Sequence, residues 1–182
     1  MQRLRIKSLK NKYSTLTPFK RFFYSSILFY VAWELVYQFY FKDQVIDNHL
    51  ITNAVKGSKY FLSFFQYTVL SDFNLISIKG FRAVLITSEC GILPTFGFYA
   101  AFIFGYPIKI NIKILFIIIG AILLHLFNIL RISILTLTMA YFDNLWNIVH
   151  RLDSYVIFYP LILFLWYSAS TFHEENFSLS NN

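Results

Sequence analysis

Three residues of the sequence, Cys90, Arg131 and His150, have side chains that can carry out covalent chemistry together. A cysteine attacks a carbonyl carbon as its thiolate, and a neighbouring cation favours that form. Histidine can take the thiol proton and pass it to a leaving amine, because imidazole titrates near neutral pH. Arginine stays charged and can donate hydrogen bonds to the oxyanion that forms when a thiolate adds to an amide. The three types predict acyl transfer through a thioester if the fold brings them together.

Cys90 is the only cysteine of the chain, which limits the chemistry of its thiol. An internal disulfide and a multi-cysteine zinc or iron–sulfur centre are both excluded. A metal at His150 with Asp143 or Asp153 would need at least three converging ligands, so we predict neither a metal nor a cofactor. The alternative to a reactive thiol is a small packed side chain, because free cysteine is among the most buried residue types.

The composition indicates a membrane protein. Of the 182 residues, 57% are hydrophobic and 21% are aromatic, whereas soluble domains contain about 45 to 50% apolar residues. Seven of the sixteen basic residues stand in residues 1–21, which contain no acid; this pattern is typical of a cytoplasmic flank. The formal net charge of +7 therefore lies largely in a tail and does not indicate nucleic-acid binding.

Long apolar runs predict an all-α polytopic membrane protein with about four transmembrane helices, because about 20 apolar residues cross a bilayer core. The predicted spans are residues 22–41, 91–106, 114–140 and 152–170. The predicted organisation is a basic cytoplasmic tail (1–21), one membrane-embedded domain (22–170) and a polar cytoplasmic tail (171–182). With both termini in the cytoplasm, Cys90, Arg131 and His150 are expected at the outer face.

Residues 42–90 contain too many charges for a further span and are predicted to form a small extracytoplasmic region between the first two spans. Within this region, residues 60–70 suit an interfacial or re-entrant helix. Residues 75–78 and 81–86 are two short β-rich runs on either side of Lys79 and Gly80, and they predict a hairpin.

The third span contains a stripe of polar residues. Taking the inner end of this span at Ile114, Arg131 lies seventeen residues further on, or about 26 Å at 1.5 Å per residue, close to the outer boundary of a core of roughly 30 Å. His125, Asn128 and Arg131 are spaced three apart and share one helix face. Asn128 either orients Arg131, binds a substrate backbone or joins two helices. His125 either supports the site or makes a helix contact.

Two acidic residues are further candidates. Glu34 lies inside the first predicted span, where an unpaired carboxylate costs about 2.5 kcal/mol or more. It is either a functional residue or a structural partner of Arg131 or of a water-filled cleft. Glu89 precedes Cys90 and is expected to hold the His150 imidazolium, to pair with Arg131 or to remain solvated at the rim.

The order of these residues resembles the exosortase and archaeosortase family of membrane-embedded cysteine transpeptidases, in particular its short flavobacterial-type members. The resemblance covers roughly residues 60–170: Glu89-Cys90, then Asn128-Ile129-Leu130-Arg131-Ile132, where it is most specific, then a histidine before the last span. It implies that Cys90 is the nucleophile and that Arg131 and His150 complete a triad. The family usually has Cys-Ser-Gly or a similar tripeptide, whereas Gly91 follows Cys90 directly here. Longer relatives also have more spans.

The resemblance implies cleavage of carboxy-terminal sorting signals, each consisting of a short motif, a hydrophobic helix and a basic end, on exported proteins. The expected location is the bacterial cytoplasmic membrane with the site facing outward. The expected partners are such exported substrates, membrane lipid and accessory membrane proteins, and no nucleic acid. Two alternatives remain open: a non-enzymatic subunit of a surface polymer or protein exporter, with Arg131 and Glu34 along a polar pathway, and a family member that binds sorting helices without cutting them.

Overall fold

A computed structural model describes residues 17–179 of the chain, apart from some side chains near the two ends and at position 154. Most of the predicted basic tail (1–16) and the last residues of the predicted polar tail (180–182) lie outside the described residues. Within residues 17–179 the chain forms five α-helices and one three-stranded sheet. The helices are α1 (Pro18–Val36), α2 (Val45–Phe64), α3 (Leu93–Gly105), α4 (Ile110–Tyr141) and α5 (Trp146–Leu179).

The prediction of a helical membrane protein is confirmed at this level. Among the described residues, two helical stretches are long and apolar enough to cross a membrane: Ile110–Tyr141, and Asp143–Phe172, which includes most of α5. They contain the third and fourth predicted spans. The first predicted span is helical from Pro18 and ends in a π-helical turn, Tyr37–Phe41. The second is α3, whose 13 residues extend about 20 Å, less than a core of roughly 30 Å.

Helices α1 and α3 pack closely and run antiparallel. A Cβ added to Gly97 would overlap the Trp33 ring, and one added to Gly105 would overlap the Ser26 hydroxyl. The Trp33 indole N–H also donates to the carbonyl oxygen of Leu93, at 3.2 Å. Glycine therefore allows the two backbones to approach as small residues do between membrane helices.

Helix α2 corrects the prediction for residues 60–70, because the helix begins at Val45 and ends at Phe64. Its buried residues recur at helical spacing on one face, from Asp47 through Ile51, Val55 and Leu62, while polar residues such as Asn48 and Lys56 stay exposed. The helix is therefore amphipathic.

The sheet corrects the all-α prediction. Its strands β1 (Val69–Asp72), β2 (Leu75–Ile78) and β3 (Val84–Leu85) are antiparallel in the order β1-β2-β3. The predicted hairpin is confirmed: β2 has the predicted bounds, β3 lies inside the second run, and Gly80 between them has the positive φ of +89° that glycine adopts without strain. Strand β1 was missed, since part of it was assigned to the helix at 60–70.

Helix α5 begins at Trp146, earlier than predicted, and continues to Leu179 through the described part of the predicted polar tail. His150, which stands before the predicted span 152–170, consequently lies in the second turn of this helix. Asp153 follows three residues later and shares its helix face.

Two apolar clusters meet at the cysteine. The first joins α2, the sheet and α4, and includes Cys90 and Ile132. The second joins α3, α4 and α5, and includes Ile92 and Phe158. Large apolar side chains on the outside of α4, such as Ile118 and Ile122, are exposed, as expected for a helix in contact with lipid.

Candidate active site

Cys90 ends a short 3₁₀ turn, Ser88–Cys90, that connects the sheet to α3. Its backbone N–H donates to the carbonyl oxygen of Thr87 at 2.9 Å. The side chain is 6% exposed. The thiol is therefore held on a tight turn at the junction of the two apolar clusters.

Groups from the π-helical turn after α1, from the connection to α2 and from α2 itself hold this turn in place. The Tyr37 hydroxyl donates to the carbonyl oxygen of Ser88 at 3.3 Å, and the Ser88 hydroxyl donates to the Asp43 carboxylate. A Cβ at position 91 would lie 2.9 Å from the Ser88 carbonyl oxygen and 3.1 Å from Oδ1 of the buried Asp47. Glycine directly after the cysteine is thus a steric requirement of this turn, which explains the departure from the family tripeptide.

Arg131 reaches Cys90 from α4. Its Nη2 lies 3.9 Å from Cys90 Sγ, and its Nη1 donates to the Cys90 carbonyl oxygen at 3.3 Å. The guanidinium carbon also lies 5.7 Å from the ring centroid of Phe158, a cation–π distance. The arrangement puts a permanent positive charge beside the Cys90 thiol, with N–H donors directed at both its sulfur and its backbone carbonyl.

A buried carboxylate on α5 pairs with Arg131. Asp153 Oδ2 accepts from Arg131 Nε at 2.6 Å, and its Oδ1 accepts from Nη2 at 3.4 Å. The two side chains are 5% and 1% exposed. This two-point contact fixes the plane of the guanidinium, so that both Nη atoms point toward Cys90.

His150 joins the site through a cavity of about 310 Å³. The His150 and Trp146 rings are stacked with centroids 5.2 Å apart, which fixes the imidazole on the cavity wall. The cavity is lined by Val84, Leu85, Ile86, Thr87, Glu89, Cys90, Arg131, Leu135, Trp146 and His150. The structure thus brings the three predicted triad residues together, with Glu89 at their edge.

The remaining predicted residues lie outside this cavity. Asn128 is buried one turn before Arg131, and its Oδ1 has no hydrogen-bond partner among the described residues; the same holds for His125 Nδ1. Both share the helix face of Arg131, as predicted. Glu34 accepts from Gln38 Nε2 at 2.8 Å, while the carboxylate beside Arg131 is Asp153 and not Glu34 or Glu89.

Asp153 is the residue that the sequence analysis missed. Its signal was present: an acid inside the last apolar helix, three residues after the candidate histidine. From the sequence it was considered only as a metal ligand. Within residues 17–179, no three His, Cys, Asp or Glu side chains converge in a way that would hold a metal ion.

The fold and the site together define a membrane protein with a buried guanidinium–carboxylate pair beside a single thiol and a histidine. A family model described as transmembrane exosortase matches residues 19–167, and the chain belongs to this family. Exosortases are known as membrane cysteine transpeptidases. No curated protein and no solved structure matches the chain significantly.

Proposed function

We propose that the protein is a membrane-embedded cysteine transpeptidase or peptidase that cleaves carboxy-terminal sorting signals of exported proteins. The observation that carries this proposal is the contact of Arg131 with both the thiol and the backbone of Cys90 in a cavity shared with His150. Family membership supports the same reaction class. The specific roles of Cys90, Arg131 and His150 are part of the proposal.

The first step forms a thioester. The Cys90 thiolate adds to the carbonyl carbon of the scissile amide, and the guanidinium of Arg131 stabilises the oxyanion. The carbon–nitrogen bond then breaks as the His150 imidazolium gives its proton to the leaving amine. Asp153 holds Arg131 in the required orientation throughout.

The second step releases the product. An O–H or N–H nucleophile attacks the thioester, neutral His150 takes its proton, and the Cys90 thiolate leaves. Water gives hydrolysis, whereas a group on a lipid or polymer gives transfer. Both steps use residues that line the cavity, with Asp153 holding Arg131 from outside it.

We propose further that α1 and α3 cross the membrane as a pair beside α4 and α5, giving four spans. The pair is supported by the close antiparallel contacts at Gly97 and Gly105 and by exposed apolar residues on α1, such as Leu28 and Val31. The basic residues Lys20, Arg21, Lys109 and Lys113 lie at the ends of α1 and α4 remote from Cys90, and this distribution of positive charge supports a site at the outer face. In this arrangement the protein lies in the bacterial cytoplasmic membrane.

The proposal is tested by co-expressing the chain with an exported reporter that ends in a short motif, an apolar helix of about 20 residues and a basic segment. The reporter mass is compared between the wild type, Cys90→Ala and the matched control Ser77→Ala on β2, outside the cavity. A shortened reporter with the wild type and Ser77→Ala, absent with Cys90→Ala, is the expected result. Equal shortening with Cys90→Ala refutes cleavage by this thiol.

A further inference from the structure

Strand β3 forms one edge of the sheet and leads directly into the cysteine. In the order β1-β2-β3, the side of β3 away from β2 carries no further strand of the described chain. Four residues separate Leu85, the last residue of β3, from Cys90. A peptide that lay along this free edge would therefore end beside the thiol.

The hydrogen bonds of β3 alternate between its two sides. Ile86 N–H donates to the carbonyl oxygen of Asn74 at 2.8 Å, and Val84 is aligned with Ile76 of β2. In an antiparallel pair, the backbone groups of the residue between two bonded positions point the other way. The N–H and C=O of Leu85 therefore face the free edge.

This free edge borders the cavity of the candidate active site. Residues 84–87 line the cavity together with Trp146 and His150. The Leu85 side chain is 56% exposed. A cavity of about 310 Å³ suits a short extended segment, whereas an α-helix is about 10 Å wide and already uses its own backbone groups.

We infer that an extended segment of the exported substrate adds to β3 as a fourth strand and thereby presents its scissile amide to Cys90. Peptide recognition of this kind draws affinity from main-chain hydrogen bonds and specificity from pockets for alternate side chains. One set of substrate side chains then faces the cavity floor at Leu135, and the other set faces outward. The cutting of this segment rests on the proposed function, whereas its binding as a strand does not.

The inference is tested by disulfide cross-linking in intact membranes. Because Cys90 is the only cysteine, Cys90→Ser gives a cysteine-free chain into which Leu85→Cys is introduced. The probes are a series of exported reporters, each with a single cysteine at a different position ahead of its apolar helix. A reporter qualifies for the series if wild-type membranes shorten it or if the Cys90→Ser chain retains it. The matched control is Ser71→Cys on β1, the opposite edge of the sheet.

We expect cross-linking to Leu85→Cys to rise and fall with a period of two residues, by about threefold or more, and Ser71→Cys to give no such pattern. Three results would refute binding of the substrate as a strand on β3. They are a period near 3.6 residues, equal cross-linking from Ser71→Cys, and no cross-linking with a reporter that the wild type shortens. Alternating cross-links to a retained reporter that is never shortened would support the strand and refute the proposed cleavage.

A backbone variant tests the same contact without a new thiol. Leu85→Pro removes the N–H that faces the cavity, and Ser71→Pro removes one at the opposite edge, where proline is tolerated because the N–H does not join the ladder. Lys79 N–H donates to the carbonyl oxygen of Thr68, so the alternation along β1 points Ser71 outward. We expect Leu85→Pro to raise the KM for the reporter about tenfold, while Ser71→Pro leaves it within about twofold. Unchanged KM in Leu85→Pro contradicts pairing at this edge.

Discussion

Replacing Asp153 with asparagine leaves the Arg131 guanidinium as an unbalanced charge in a buried site. The two side chains are 1% and 5% exposed, so water cannot replace the lost carboxylate. Removing one member of a buried ion pair costs about 3 to 5 kcal/mol. We therefore expect Asp153→Asn to lower the free energy of unfolding by an amount in this range.

The chain contains a matched control for this change. Arg82 and Asp143 form an ion pair at 3.5 Å with side chains 79% and 58% exposed, and exposed pairs contribute about 0.2 to 1 kcal/mol. Unfolding is followed in mixed micelles with increasing denaturing detergent, for the wild type, Asp153→Asn and Asp143→Asn. A cost for Asp153→Asn no larger than that of Asp143→Asn would refute the argument from burial.

A double variant separates the charge from its catalytic use. Replacing a buried pair with apolar residues of similar size is often neutral or stabilising, so Arg131→Met with Asp153→Leu should recover most of the stability that Asp153→Asn loses. The same double variant should not process the reporter, since no guanidinium remains beside Cys90. If the double variant instead loses as much stability as Arg131→Met and Asp153→Leu lose together, the two side chains do not act as a pair.

Three further changes have expected outcomes. His150→Ala should lower the processing rate by about 10² to 10⁴-fold while Cys90 remains open to a small alkylating reagent; a rate within a few-fold of the wild type would exclude His150 as the proton carrier. Gly91→Ala forces its Cβ against the Ser88 carbonyl oxygen and should lower the processing rate about 10²-fold by displacing the thiol. Its control is Gly80→Ala, which strains a positive φ but meets no atom within 4 Å, and which should therefore affect stability alone. Gly97→Ala pushes against Trp33 and should lower the free energy of unfolding by about 1 to 3 kcal/mol; an unchanged unfolding curve would contradict the close contact of α1 and α3.

The apolar runs predicted the helices of the membrane region well because hydrophobicity alone determines such segments. The stripe of His125, Asn128 and Arg131 is found on one face of α4, as the spacing of three residues required. Helix ends were less predictable. Apolar content alone did not show that α5 begins at Trp146, since its first turns carry Asn147, His150 and Arg151.

Long apolar runs did not reveal the secondary structure between residues 42 and 74. Helix α2 carries its apolar residues at helical spacing between charged ones, so a hydropathy criterion misses it while the period of about 3.6 residues would have found it. Strand β1 was not predicted because its first residues were included in the helix predicted at 60–70. The sheet itself depends on pairing between segments, which composition does not reveal.

The contacts within the candidate active site could not be predicted without the fold. The topology predicted from the sequence puts Cys90, Arg131 and His150 at one face of the membrane, but the partner of Arg131 could have been any of several acids. Only packing of α4 against α5 puts Asp153 within 2.6 Å of the guanidinium. Likewise, a Cβ after Cys90 would meet not only the nearby Ser88 carbonyl oxygen but also Asp47 on α2, which is distant in sequence.

The most direct test of the central claim is the intact mass of the protein itself after incubation with the reporter. We predict an adduct of the size of the reporter's retained part on Cys90, removed by hydroxylamine, which cleaves thioesters, and missing from Cys90→Ala. His150→Ala should accumulate less of it, because the leaving amine lacks a proton donor. A reporter that is shortened at the wild-type rate with no hydroxylamine-sensitive adduct, or with an adduct on a residue other than Cys90, would contradict the account.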